Sequence, residues 1–424
     1  MLEAILDNRN IACASQQVIS NKGASGVDGM QTDELRDFML LHWQSLKEEL
    51  LQGRYQPSAV KQVAIPKRQG GTRMLGIPTV KDRLIQQAIS QWMTHLWEHE
   101  FHAQSYGFRP QKNAHQAVLQ AQKLLNSGNT YVVELDLATF FDVVNHDKLM
   151  SLLSKKISDK RTLQLIGKYL RSGIMMDGVI SPRTKGTPQG SPLSPLLSNI
   201  ILNELDQELE RRGLRFVRYA DDCSIYVGSM KSAQRVMSSI TKYLEEDLLL
   251  QVNQEKSKIS RPNKSSLLGF SFYNSGGEWR LRMSSEVVER MKEKLKEVLP
   301  RNQAQQVETK MQTIHQIIRG WVQYFQIADI KCICQRLDEL LRSRVRKLYW
   351  QKWQKTKTRI RNLVKLGISK NKAYQWANTN RGASRTAHSP ILLKSLTKQV
   401  LFRKGLPSFY TVYQNNVLLQ LNLF

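Results

Sequence analysis

The sequence predicts an α+β body that extends to residue 283, followed by a helical segment and a basic end. Short apolar runs bounded by turn residues, such as VKQVAIP at 60–66, predict strands. Runs with apolar residues three and four apart, such as 80–100, predict helices. From 284 to 354 the pattern is helical throughout, and from 340 to 424 there are 18 Lys and Arg but no Asp or Glu. These observations indicate a mixed body joined to helices that carry a strong positive charge.

Within the body, the patterns alternate between helices, strands and turns. Residues 1–55 have helical patterns around a glycine-rich turn, NKGASGVDGM. The other predicted elements, in chain order, are strands at 60–66 and 74–78, helices at 80–100 and 111–126, a buried strand in TYVVELDL that ends at Asp136, a helix at 147–171, a hairpin and loop at 173–192, a helix at 193–211, a hairpin at 216–227, a helix at 230–247, a strand and loop at 248–259, and two strands across an NSGG turn at 266–283.

The composition indicates a folded protein with a polyanionic partner. The 424 residues suffice for two or three domains, 41% are hydrophobic, and the formal net charge is +27. No long apolar run occurs, so we expect no membrane span. Four cysteines without a CxxC pair predict a cytoplasmic location and no structural zinc. The basic end also contains Trp, Tyr and Phe, a composition that suits RNA or single-stranded DNA.

Three aspartates mark a candidate metal site. Asp136 ends a predicted buried strand, and Asp221 and Asp222 lie at the tip of a predicted hairpin. Taken singly, Asp136 fits a helix cap and the pair fits a hairpin turn. If the two strands are neighbours, the three carboxylates converge and need a cation. Magnesium prefers such oxygens, and two ions about 4 Å apart serve phosphoryl transfer.

Several motifs, in a fixed order, resemble those of group II intron-type reverse transcriptases. YADD at 219–222 resembles the active-site box of these enzymes. The other similar segments are NKGASGVDG (21–29), RMLGIPTVKDRLIQQAI (73–89), SYGFRPQKNAHQAV (105–118), LDLATFFDVVNHDKL (135–149), GTPQGSPLSPLLSNIILNELD (186–206), LLGFSF (267–272) and IIRGWVQYF (317–325). The resemblance covers nearly the whole chain.

This resemblance implies a right-hand polymerase fold with four regions. They are an N-terminal extension (1–60), the fingers and palm (61–283), an α-helical thumb or maturase domain (284–360) and a basic DNA-binding region (361–424). The last region resembles the ending of relatives that lack an endonuclease, since the paired cysteines of that domain are missing. The implied activity is RNA-directed DNA synthesis from dNTPs, with intron RNA binding, splicing and retrohoming.

The resemblance also assigns roles to individual residues. Asp136, Asp221 and Asp222, with the Leu137 carbonyl, are implied to hold two Mg²⁺ ions, for which Mn²⁺ is a possible substitute. Successive strand residues face opposite sides, so Asp222 is expected to be the less direct ligand. The other implied sites are Lys67 and Arg73 for the triphosphate, Phe141 as a steric gate against ribose, Gln189 near the nucleotide, and Leu268, Gly269 and Phe270 as the primer grip. Lys256 fits either a general acid or a solvated charge.

The expected partners are an RNA template, a group II intron RNA, a DNA primer or target, and dNTPs. Two other functions stay open at this point. One is a host-adopted relative that acts in DNA repair or phage defence without an intron. The other is a splicing factor that binds RNA but no longer polymerises, and the intact aspartates, Phe141 and Gln189 disfavour it.

Overall fold

The computed structural model describes residues 1–66, 71–176, 178–300 and 307–421. The chain forms two compact units, Met1–Ser265 and Ser266–Phe424, which we describe separately. Among the described residues, no helix has the length and apolar character needed to cross a membrane.

The first unit mixes helices and short strands, as predicted. Its helices are α1 (Leu2–Ile5), α2 (Asn8–Ser20), α3 (Leu35–Leu51), α4 (Val80–Trp97), α5 (Ala114–Asn126), α6 (Phe140–Val143), α7 (His146–Ser154), α8 (Lys160–Arg171), α9 (Ser194–Arg211) and α10 (Met230–Lys242). Its strands are β1 (Val60–Pro66), β2 (Thr72–Ile77), β3 (Tyr131–Leu135), β4 (Ile174–Met176), β5 (Val179–Ser181), β6 (Arg215–Tyr219), β7 (Asp222–Val227) and β8 (Lys258–Ser260).

Two sheets organise the described part of the first unit. One has the order β6-β7-β3-β8 with antiparallel pairs, and α5, α9 and α10 contact it. The other has the order β2-β1-β4-β5, in which β1 and β2 form the predicted hairpin. The apolar faces of the helices and the first sheet share one hydrophobic core, which includes Leu84, Val133, Leu197 and Ile225. This core fixes the ends of β3, β6 and β7, where the candidate carboxylates lie.

Two predicted elements of the body are wrong. The single helix expected over 147–171 is two helices, because the Asp159 side chain accepts a hydrogen bond from the Arg161 backbone N–H and begins a new helix there. The strand expected just after residue 248 is also wrong. Val252 makes only an isolated bridge to Leu137, and the chain joins the sheet later, as β8.

The second unit begins with a small sheet and continues as helices. Its strands are β9 (Ser266–Leu267), β10 (Phe270–Ser275) and β11 (Glu278–Met283), in the order β11-β10-β9. Its helices are α11 (Ser285–Val298), α12 (Met311–Phe325), α13 (Lys331–Lys352), α14 (Thr356–Lys365), α15 (Lys370–Ala377), α16 (Ala383–Ala387), α17 (Pro390–Ser395), α18 (Lys398–Arg403) and α19 (Phe409–Leu421). The α+β body followed by helices is therefore confirmed.

The basic end is packed rather than extended. Buried Asp338 on α13 accepts hydrogen bonds from the backbone N–H groups of Phe409 and Tyr410, at 2.7 and 3.2 Å. A carboxylate at this position satisfies free N–H groups at the start of α19. The start of α19 is thereby fixed to α13 of the same unit.

Candidate active site

The aspartate pair lies on a tight hairpin made by β6 and β7, which we call the YADD hairpin (215–227). Tyr219 pairs with Asp222, so Ala220 and Asp221 alone form the turn. Ala220 has a φ of 56°, and positive φ values in two-residue hairpin turns match the twist of the flanking strands. Asp221 therefore lies at the tip of the hairpin, while Asp222 begins β7.

Strand pairing brings Asp136 to the same end of the sheet. β3 pairs antiparallel with β7, with Leu135 opposite Cys223, so Asp136 follows at the level of Asp222. The Asp136 backbone N–H donates to Ser257 Oγ at 3.1 Å, and its carbonyl accepts from the Asn253 N–H at 2.8 Å. The neighbouring Leu137 is buried and bridges Val252. The loop that precedes β8 thus holds the backbone on which the first aspartate sits.

The electrostatics of Asp222 show that the three carboxylates influence one another. Asp222 is an exposed residue, yet nearby protein atoms reduce the hydration of its carboxylate. This loss of hydration raises the pKa of Asp222 to about 6. The charges of Asp221 and then Asp136 act in the same direction, and Lys256 opposes them. Lys256 Nζ lies 3.8 Å from Asp136 Oδ2, with both side chains partly in solvent. Negative charge is therefore concentrated here and only partly offset.

The residues present fit hard divalent cations, although they do not form a closed cage. In the described ranges, no three His, Cys, Asp or Glu side chains are arranged as a complete metal site. Magnesium does not need such a cage, since it uses one or two carboxylates with water and substrate phosphates. The donors are oxygens, and a bound cation would relieve the mutual repulsion that acts on Asp222.

A cavity of about 490 Å³ brings four predicted residues together in the first unit. Arg73, Phe141, Gln189 and Asp221 all line it, and we call it the Asp221 cavity. Arg73 Nε donates to Gln189 Oε1 at 2.6 Å. The cavity is therefore lined by a cation bonded to an amide and by a carboxylate, a set of groups that suits a metal-bound, phosphorylated ligand.

The loop with Gln189 is fixed by close backbone packing. Gly76 N–H donates to the Gln189 carbonyl at 2.7 Å. Gly190 has a φ of 111°, and a Cβ atom there would lie 2.7 Å from the Gly76 carbonyl oxygen, so this position requires glycine. The Thr187 N–H donates to the Phe141 carbonyl at 2.6 Å. Phe141 is half-buried and lines the cavity, whereas its neighbour Phe140 belongs to the core.

The sequence interpretation missed part of the cavity wall. Arg83 on α4 lines it, as do Phe108 and the glycine-rich turn near Gly23. Arg83 is largely buried and donates to the carbonyls of Ala24 and Pro78. The sequence feature that could have indicated this burial is the position of Arg83 directly before the apolar residues Leu84 and Ile85 of a predicted helix. The N-terminal turn is thus part of the cavity.

Several predicted residues do not line this cavity, among them Asp136, Leu137 and Asp222, which lie at the sheet end described above. Lys67 lies outside the described residues. Leu268 and Gly269 form the turn between β9 and β10 in the second unit, with φ values of 53° and 84°. Phe270 is fully buried in that unit and packs against the rings of Tyr324 and Phe325, with centroids 5.5 and 5.0 Å away.

Comparisons with known proteins identify the family of this chain. Residues 65–272 match the family described as reverse transcriptase (RNA-dependent DNA polymerase), and residues 288–367 match the maturase-specific domain of group II introns. The chain is 35% identical to protein YkfC of Escherichia coli (strain K12) over 303 residues, which are 62% of this chain and 80% of YkfC. The chain belongs to the group II intron-type reverse transcriptases.

Other relatives of this reverse transcriptase match shorter parts. It is 37% identical to the group II intron-encoded protein LtrA of Lactococcus lactis over 206 residues, which are 48% of this chain but only 34% of LtrA. A solved structure described as a partial Cas6-RT-Cas1–Cas2 complex matches with 24% identity and a TM-score of 0.38, over 58% of this chain and 42% of that one. Family membership confirms the expected enzyme class, RNA-directed DNA polymerase, the polymerase fold, and a maturase domain.

Proposed function

We propose that this reverse transcriptase extends a DNA primer on an RNA template at the Asp221 cavity. The observation that carries the proposal is the meeting of Asp136, Asp221 and Asp222 at one sheet end, beside a cavity lined by Arg73 and Gln189. Carboxylates next to a cationic pocket are the parts needed to hold metal-bound triphosphate.

Asp136 and Asp221, with a smaller share from Asp222 and the Leu137 carbonyl, would hold two Mg²⁺ ions, or Mn²⁺ in their place. When bound, such ions lower the pKa of a primer 3′-hydroxyl and neutralise charge on the reacting phosphates. The carboxylates supply the anionic ligands at fixed positions, because Asp136 and the YADD hairpin are anchored in one sheet. Lys256 lies beside Asp136 and is available to donate a proton to pyrophosphate.

The walls of the cavity would bind and select the nucleotide. Arg73 would bind the phosphates, and its hydrogen bond to Gln189 fixes the guanidinium. Lys67 keeps the proposed role of a mobile second cation. Phe141 would fill the space next to the sugar and exclude a 2′-hydroxyl. In the second unit, Leu268, Gly269 and Phe270 keep their proposed role as primer grip.

The proposed polymerase is tested by extension of a DNA primer on an RNA template with the full chain. We expect extension with dNTPs in Mg²⁺ and none in a chelator. Absence of extension in both Mg²⁺ and Mn²⁺ would leave only an RNA-binding role.

Replacing Phe141 by valine tests the selection of the sugar. We expect Phe141→Val to incorporate ribonucleotides, because a smaller side chain replaces the half-buried ring that lines the cavity and leaves space for a 2′-hydroxyl. The ratio of kcat/KM for dNTP over rNTP is the measurement, and Phe140→Leu, a core change, is the control. An unchanged ratio in Phe141→Val would remove the gate role.

The second unit supplies the proposed contacts with RNA. It contains the maturase-specific match and the carboxylate-free stretch 340–424, which would bind nucleic acid backbones with steep salt dependence. We propose that intron RNA binds 284–360 and target DNA binds 361–424, with residues 1–60 as an extension of the fingers and palm at 61–283. Splicing and retrohoming of an intron are the proposed cellular roles, in a cytoplasmic setting.

Sequencing of RNA that co-purifies with the protein from its host tests this role. Recovery of a group II intron would support a maturase. Recovery of unrelated RNA, with polymerase activity retained, would favour the host-adopted alternative.

A further inference from the structure

A buried ion pair joins the YADD hairpin to α9. Arg218 on β6 and Asp206 on α9 both have side chains with no solvent exposure. Arg218 Nε donates to Asp206 Oδ1 at 2.7 Å, and Nη2 donates to Oδ2 at 2.6 Å. Burying two charges is unfavourable, and apolar replacements of such pairs are often as stable. The pair therefore invites a role other than stabilising the fold.

The remaining guanidinium nitrogen of Arg218 reaches the turn of the hairpin. Nη1 donates to the Ala220 carbonyl at 2.9 Å and to Asn199 Oδ1 at 3.0 Å. The Ala220 carbonyl belongs to the peptide group that continues into Asp221. Because a peptide group is planar, fixing its carbonyl also fixes the nitrogen and Cα atom of Asp221.

The backbone at this turn needs to be held. Ala220 has a φ of 56°, which is uncommon for a residue with a side chain, and such conformations persist where the surroundings enforce them. The Gly107 backbone also packs against this turn, since a Cβ atom at Gly107 would overlap the backbone nitrogen of Ala220. Asn199 Nδ2 donates to the Gly107 carbonyl at 2.9 Å. The turn is thus held by Arg218 and by the Gly107 backbone.

Helix α9 carries both side chains that accept hydrogen bonds from Arg218. Asn199 and Asp206 are seven residues apart, about two helical turns, so they lie on one face of α9. Both side chains are buried. The same helix begins just after the loop that carries Gln189, so it links the YADD hairpin to the wall of the Asp221 cavity.

We propose that Asp206 and Arg218 are a positioning pair for catalysis. Asp206 orients the guanidinium of Arg218, and Arg218 holds the Ala220 carbonyl. Together they set the direction in which the Asp221 carboxylate faces the cavity. This inference rests on the proposed function of Asp221.

The test removes both charges at once, in the combined variant Asp206→Leu and Arg218→Met. Removing one partner alone would leave an unpaired buried charge, whereas the double change leaves only two neutral oxygens, on Asn199 and Ala220, without the Arg218 donor. We expect a melting temperature close to that of the wild type. We also expect kcat for dNTP addition to fall about 100-fold, the effect of displacing a reacting group by about 1 Å. KM for dNTP and template RNA affinity should stay unchanged, and the Mg²⁺ concentration for half-maximal rate should rise.

An ion pair at the C-terminal end of α9, between a helix residue and the residue that follows the helix, provides the control. Glu208 and Arg212 are 2.6 Å apart, and Arg212 also bonds Ser239. The variant Glu208→Leu with Arg212→Met should keep the kcat of the wild type.

A folded double variant with the kcat of the wild type would overturn the inference. If the double variant does not fold, Arg218→Lys decides, because it keeps the charge and loses the planar fork. A reduced kcat with normal melting supports the pair as a positioning device, and a normal kcat overturns it. If every variant unfolds, the pair is structural and the inference is wrong. Activity of Asp221→Ala would instead contradict the proposed function itself.

Discussion

Two tight hairpin turns, one in each unit, are held at a carbonyl group by different chemistry. In the YADD hairpin, the buried guanidinium of Arg218 donates to Ala220 and is itself held by Asp206. In the 267–270 turn, the half-buried hydroxyl of Tyr324 donates to the Leu268 carbonyl at 3.0 Å. One turn depends on a charged network. The other is held by neutral hydrogen bonds, which include one from the Ser284 N–H to the Gly269 carbonyl at 3.0 Å.

This difference in hydrogen bonding predicts how far the backbone of each turn can shift. Charge-assisted bonds are about twice as strong as neutral ones, and the guanidinium fork also fixes direction. A neutral hydroxyl can rotate about its C–O bond and still donate. We therefore expect the YADD hairpin to accept one geometry only, while the 267–270 turn adjusts to small shifts.

The largest effect on the rate of primer extension is expected at Gly107, where the backbone of the YADD hairpin leaves no space for a Cβ atom. Gly107→Ala would push a methyl group into the Ala220 backbone nitrogen and displace the turn. We expect kcat for primer extension to fall about 100-fold. Gly228→Ala is the control, because a Cβ atom there would meet nothing within 4 Å. A normal rate in Gly107→Ala would show that this turn also adjusts.

A smaller effect is expected at the 267–270 turn. Tyr324→Phe removes the hydrogen bond to Leu268 and keeps the ring that packs on Phe270. We expect the free energy of unfolding to fall by about 1 kcal/mol, measured by urea titration, with little change in kcat. If kcat falls as far as in Gly107→Ala, the two turns are equally strict.

The smallest effect concerns pH at the YADD hairpin. The Asp222 pKa of about 6 lies above the ordinary 3.8, so the folded state binds the proton more tightly than the unfolded state between these values. Stability from this group is present at low pH and declines as pH rises through about 6. In a chelator, Asp222→Asn should therefore raise the melting temperature at pH 7.5 but not at pH 4.

Adding Mg²⁺ to the same melting experiment tests whether a cation binds at these carboxylates. A cation bound at the carboxylates should raise the melting temperature of the wild type at pH 7.5 and reduce the advantage of Asp222→Asn. An advantage that Mg²⁺ leaves unchanged would count against a metal site at this hairpin.

Local patterns sufficed to predict the parts of the site that depend on short stretches of chain. The hairpin at 216–227 is visible in alternating apolar residues around YADD, and Asp136 directly follows β3 as expected within one residue. Arg73, Phe141 and Gln189 came from motif resemblance, and they share one cavity. Their proposed roles remain predictions.

Long-range contacts could not be predicted. Arg218 stands in an apolar stretch, where an arginine suggests a solvent-facing side chain, yet it is fully buried because Asp206 on another element neutralises it. The need for glycine at 107 depends on a hairpin more than a hundred residues away. The break between α7 and α8 depends on capping by Asp159, which competes with helix periodicity.

Primer extension by Asp221→Ala on an RNA template, with RNA binding measured on the same preparation, is the most direct experiment. A metal ligand contributes little to recognition of the RNA backbone. We predict that extension in Mg²⁺ falls to background while RNA affinity stays close to that of the wild type. Appreciable extension by Asp221→Ala would contradict the assignment of this aspartate, and with it the proposed active site.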